Sequence, residues 1–135
     1  MTTRLTIHIT LVATLLSILG CNKFALDTEW RSGTFRLIAI DTLGQMSLIN
    51  TSDESWRGIG PTVFSVGADD HFIVLAQHPS TNDTGGFDRS VTHYYVVERA
   101  NWRRGVRGPL SKEQYDVLGA SLSLPKFTKT FEDLK

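Results

Sequence analysis

The chain has 135 residues, 41% hydrophobic and 21% charged, a balance that fits one ordinary folded domain and excludes a disordered or fibrous chain. Lys+Arg and Asp+Glu are each 14, so no overall field draws it to nucleic acid. Arg4 is the one charge in the first 21 residues, which leaves the rest near −1.

Residues 5–19 are an apolar run of 15, broken by small polar groups and one His. A spanning helix needs about 20 residues, so this run reads as the apolar region of a signal peptide. It ends in Ile18-Leu19-Gly20-Cys21, which holds the only cysteine of the chain. That segment resembles the bacterial lipobox, in which an apolar residue, a variable position and a small residue precede an acylated Cys. The resemblance implies a palmitate-type anchor on Cys21. One acyl chain binds membrane marginally and two anchor stably, at roughly 0.8 kcal/mol per buried methylene. A lone Cys also has no internal disulfide partner. The expected organisation is a signal peptide at 1–20, a lipidated tether at 21–32 and one α+β domain at 33–135. The place is then the bacterial cell envelope, facing the periplasm or the exterior. Asn22 leaves the inner and outer membranes both open, with a lean to the outer. Asn50-Thr51-Ser52 and Asn82-Asp83-Thr84 also fit the glycosylation pattern of a secreted eukaryotic protein.

Residues 34–41 are rich in β-formers and lie between Gly33 and Gly44, which predicts a strand. Residues 45–50 predict a second, joined to the first by a hairpin at Thr42-Leu43-Gly44. Residues 62–66 and 71–77 follow, linked by the turn Gly67-Ala68-Asp69-Asp70. Phe72 to Ala76 is apolar at every position, as expected of a central strand covered on both faces or of one whose second side the helix partly covers. Pro79 ends it. Residues 92–98 make the fifth strand. Ser111 then opens a helix, with Gln114 completing a capping box. Tyr115, Leu118 and Leu122 fall on one face. Gly119 weakens the helix by about 1 kcal/mol against Ala, and Leu124-Pro125 stops it. Phe127 and Phe131 lie in a tail with room for a short strand or turn. The sum is α+β: about five antiparallel strands in one sheet, with the C-terminal helix packed on it.

Thr62-Val63-Phe64-Ser65-Val66-Gly67, Phe72-Ile73-Val74 with Gln77-His78-Pro79, Tyr94-Tyr95-Val96-Val97, Gly108-Pro109-Leu110-Ser111 and Leu124-Pro125 occur in that order. The ordered set, over roughly residues 33–131, resembles a family of small bacterial lipoproteins of unknown function. The resemblance implies an envelope location and a sheet-plus-helix domain, and assigns no catalytic residue.

The densest feature is Arg99 to Arg107, where Arg99, Arg103, Arg104 and Arg107 surround Trp102. Arg and Trp are enriched at binding hot spots, since each offers a large contact area of fixed geometry. The cluster points to an acidic partner, anionic headgroups or lipopolysaccharide phosphates. It reads first as a solvated loop paired with the acids of residues 41–88, which hold seven acids and one base. His71 and His78 fall on opposite sides of one strand, which argues against a metal site. The 80–88 loop and the aromatic residues offer a ligand site as the alternative. Ser47, Ser65 and Ser90 lack a nucleophile-elbow pattern. A non-enzymatic envelope lipoprotein that binds a protein partner is expected, with no cofactor and no nucleic acid; the alternative is a small-ligand or metal-ion-binding lipoprotein.

Overall fold

The structure, a computed structural model, describes residues 27–82 and 86–135. Residues 1–26, which hold the expected signal segment and Cys21, lie outside the described residues. Strand β1 (Asp27–Ser32) pairs antiparallel with β2 (Phe35–Ala39), which pairs with β3 (Ser47–Asn50). Phe35, Leu37 and Leu48 recur at alternate positions and turn one face of this three-stranded sheet to the core, the period that a half-buried strand requires. A 3₁₀ turn at Leu43–Gln45 closes the β2–β3 hairpin.

The second sheet has five strands in the order β7-β6-β5-β4-β8. These are β4 (Val63–Ala68), β5 (Phe72–Gln77), β6 (His93–Glu98), β7 (Val106–Leu110) and β8 (Lys129–Thr130), with helix α1 (Lys112–Leu122) between the last two. All pairings are antiparallel. The domain is therefore α+β. Ile73, Leu75 and Val97 join the core that Phe35, Leu37 and Leu48 of the small sheet and Met46 of its turn supply. Val74 and Val96, buried partners one step along, share the other face with Tyr94. There Tyr94 stacks on Tyr115 of α1 at 4.9 Å, so the run from Phe72 to Ala76 is covered on both faces as expected.

The tail crosses β4 closely. A Cβ on Gly67 would stand 1.9 Å from the Lys126 carbonyl oxygen, so only glycine lets the tail backbone pass there. Thr128 then donates to the Val66 carbonyl at 2.9 Å and Phe131 to that of Phe64 at 2.8 Å.

Three expectations change. Residues 27–32, read as tether, are strand. Residues 99–108 are expected as a basic connection and Pro109-Leu110-Ser111 as the opening of the helix, but Val106–Leu110 are strand as well. The five expected strands are all present, but two belong to the small sheet and three to the large one, whose outer strands are β7 and β8. The sheets part at residues 51–62, where the chain leaves β3. Among the described residues, backbone pairing at this boundary is an isolated bridge from Leu48 to Ile59 of the connecting segment and the Val63 N–H donated to the Met46 carbonyl at 3.0 Å.

Candidate binding surface

The basic loop is a tight β6–β7 hairpin connection. A 3₁₀ turn at Arg99–Asn101 begins it, and the Asn101 carbonyl accepts from both Arg104 and Gly105. This geometry sends the loop's side chains in different directions. Arg99 reaches the small sheet, donating to Ser32 Oγ at 2.7 Å with its guanidinium 5.5 Å from the Phe35 ring centre. Trp102 packs edge-on against Trp56 at 5.3 Å and Phe35 at 6.4 Å. Arg103 lies over the Trp102 ring at 5.1 Å and pairs with Asp53.

Thus Arg99 and Trp102 fasten the large sheet to the small one, and Arg103 ties the loop to the connection after β3. The pairing of Arg103 with Asp53 is the internal use that the acidic stretch made available. Hydrogen bonds from the Ser55 hydroxyl and N–H, together with Arg103, outweigh burial and hold the Asp53 carboxyl below the usual range. Arg104 and Arg107 differ. Both side chains are exposed and neither makes a hydrogen bond or ion pair among the described residues.

Arg107 instead borders a groove of about 550 Å³ between β7 and α1, floored by Leu110, Val117 and Leu118 and edged by Glu113, Gln114 and Ser121. Val117 is 74% exposed. The groove exists because α1 presents Tyr115 to Tyr94 and leaves Val117 outside that contact. The capping box fixes where the helix starts: Ser111 Oγ accepts from the Gln114 N–H at 3.2 Å and Gln114 Oε1 from the Ser111 N–H at 2.8 Å. At this end a free helix N–H, its own, and Ser111 hold the Glu113 carboxyl below its ordinary value. Sequence reasoning missed the groove, because Leu110 sat in an unrecognised strand and Val117 lay off the expected helix face.

A second hollow, of about 570 Å³, lies at the β2–β3 turn, lined by Ile40, Asp41, Gln45, Ser47, Pro61 and Ser80. Ile40 is 60% and Leu43 44% exposed.

The other candidates come apart. His78 is buried and stacked on Phe64 at 4.3 Å, with Nδ1 2.7 Å from the Val91 carbonyl oxygen. His71 is exposed at the far end of β5. Among the described residues no three of His, Cys, Asp and Glu gather as a metal site would require. Residues 83–85 of the loop read as a ligand site lie outside the described residues. The Ser47, Ser65 and Ser90 hydroxyls bond to the Gln45 carbonyl, Thr130 Oγ1 and Asp88 Oδ1, respectively, and none to a histidine.

No curated protein and no solved structure matches this chain. One family model, described as a protein of unknown function (DUF3997), matches residues 33–134, from the β1–β2 turn to Leu134, and the chain belongs to that family.

Proposed function

We propose that this chain is a lipid-anchored, non-enzymatic binding module of the bacterial cell envelope, and that its groove between β7 and α1 receives a segment of a protein partner. The anchor reading is supported by the order Arg4, apolar run, Gly20, Cys21. The observation that carries the binding reading is the open apolar groove bordered by Arg107, with Arg104 on the turn leading into β7. An exposed apolar trough beside unpaired cations fits a segment that offers an apolar side chain flanked by carboxylates.

The test uses the full-length chain in its native envelope. A photo-cross-linker at position 117 should yield one discrete protein adduct, and Arg104→Glu with Arg107→Glu should abolish it. No adduct, or an adduct indifferent to the reversal, rejects the surface. Metabolic labelling with a palmitate analogue should mark the wild type and spare Cys21→Ser; a labelled variant rejects the anchor.

The size of the groove favours one second reading. A hollow of about 550 Å³ falls within the range of small-molecule sites. An apolar ligand there would raise the thermal midpoint, through its preference for the folded state, and would block the cross-link from position 117.

A further inference from the structure

We infer that the β2–β3 turn is a second point of membrane contact, at which Ile40 and Leu43 enter the lipid surface. The inference rests on the reading of Cys21 as acylated. Because β1 starts at Asp27, only residues 22–26 separate Cys21 from the folded sheet. A chain extends at most about 3.6 Å per residue, so Asp27 stays within roughly 22 Å of the anchored residue. A domain of about 100 residues has a radius of gyration near 13 Å. So short a link keeps the end of the small sheet where β1 begins within reach of the bilayer.

The residues at that end are given by register. Asp27 pairs with Ala39, and Ile40 follows directly. Ile40 and Leu43 are therefore two exposed large apolar side chains at the end to which the tether leads. Single exposed apolar residues are ordinary on a soluble protein. This pair is distinguished by its position and by how it is held.

The turn that presents them is firmly built. Gln45 N–H donates to the Thr42 carbonyl at 2.9 Å and Met46 N–H to that of Leu43 at 3.0 Å. Thr62, fully buried, donates its hydroxyl to the Gly44 carbonyl at 2.6 Å. Gly44 and Met46 are buried beneath. Leu43 thus points outward from a turn whose next residues are tied into the core. Asp41 is the only charge from Ile40 to Met46, so the contact is apolar insertion and resists salt.

The experiment takes the acylated full-length protein in vesicles of equimolar phosphatidylethanolamine and phosphatidylglycerol, part of the lipid brominated on its acyl chains. A fluorophore is attached at Thr42→Cys or at Asp70→Cys, since acylation leaves the Cys21 sulfur unreactive. Asp70 lies at the opposite end, beside His71, whose carbonyl accepts from Arg99, which in turn holds Ser32 at the end of β1. Quenching by brominated lipid is expected at position 42 and not at 70, and is expected to vanish in Ile40→Asn with Leu43→Asn while the thermal midpoint holds. Equal quenching at the two positions in protein that remains acylated and vesicle-bound overturns the docking alone. A Cys21 without lipid, seen by mass spectrometry, overturns both this inference and the anchor on which it rests.

Discussion

Asp53, Asp69 and Asp88 each hold a turn by accepting local hydrogen bonds. Asp53 accepts from Ser55, Asp69 from the N–H groups of His71 and Phe72, and Asp88 from Ser90. At Asp88 the Ser90 hydroxyl and N–H lower the carboxyl directly. At Asp69 burial works the other way, and the two backbone donors together with the neighbouring His71 and Arg99 outweigh it. All three carboxyls are therefore harder to protonate folded than unfolded. Such a group stabilises the fold fully above its unfolded value, about 3.9, and that stability is lost as pH falls through the lower folded value. Replacing all three by Asn keeps a side-chain oxygen acceptor and removes the titration. Urea midpoints measured between pH 6 and pH 2 are expected to fall on the acid side in the wild type and to flatten in the triple variant. An equally steep acid limb in both would refute the assignment. The arginines teach a different lesson at this scale. Trp102 and the four arginines were legible as a cluster, because residue type and spacing are local. Which of them serve the fold was not, since that depends on Phe35, Ser32, Asp53 and Trp56, far away in the chain.

Helix α1 was legible in its start, its inner face and its stop, since caps and periodicity are written within a dozen residues. The structure adds that Gly119 has no packing reason to be glycine. A Cβ there would meet only Leu124 Cδ1, at an ordinary 3.8 Å. Gly119→Ala is thus expected to stabilise the protein by about 0.5–1 kcal/mol, through the smaller backbone entropy lost on folding. For a domain of this size that corresponds to a rise of several degrees in the melting midpoint, roughly 4–8 °C per kcal/mol. An unchanged or lowered midpoint would mean that α1 is strained in a way its contacts conceal. The strands divide by how much of their pairing is apolar. Those with alternating or continuous apolar residues were found. β1 was missed because Asp27 to Ser32 carries one large apolar side chain, Trp30, and is held by backbone pairing along β2. β7 was missed because Gly108 and Pro109 forbid a central strand; it lies at the sheet edge, where a missing N–H breaks no ladder.

At the scale of the whole molecule, the question is whether two sheets with so little backbone pairing between them behave as one cooperative unit. Their side chains say that they do. Phe35, Leu37 and Leu48 from the small sheet, with Met46 just before β3, share a single cluster with Val63, Val66, Ile73, Leu75 and Val97 from the large one. Trp102, Trp56 and Phe35 close the same boundary at its edge, with ring centres 5.3 to 6.4 Å apart. Neither sheet can lose its partner without exposing its buried face to water, which costs roughly 25 cal/mol per Å² of apolar surface. Leu37→Ala removes a fully buried side chain from the small sheet and is expected to cost about 2–5 kcal/mol. If the core is shared, that loss destabilises both sheets equally. Near-ultraviolet circular dichroism follows the tryptophans of the boundary, and far-ultraviolet dichroism follows the strands and the helix of both sheets. The two signals are expected to move together, to one lower midpoint, in Leu37→Ala as in the wild type. A near-ultraviolet transition that shifts while the far-ultraviolet one stays would make the small sheet a separable flap. On the proposed anchor, the link from Cys21 would then govern the flap and leave the orientation of the large sheet free.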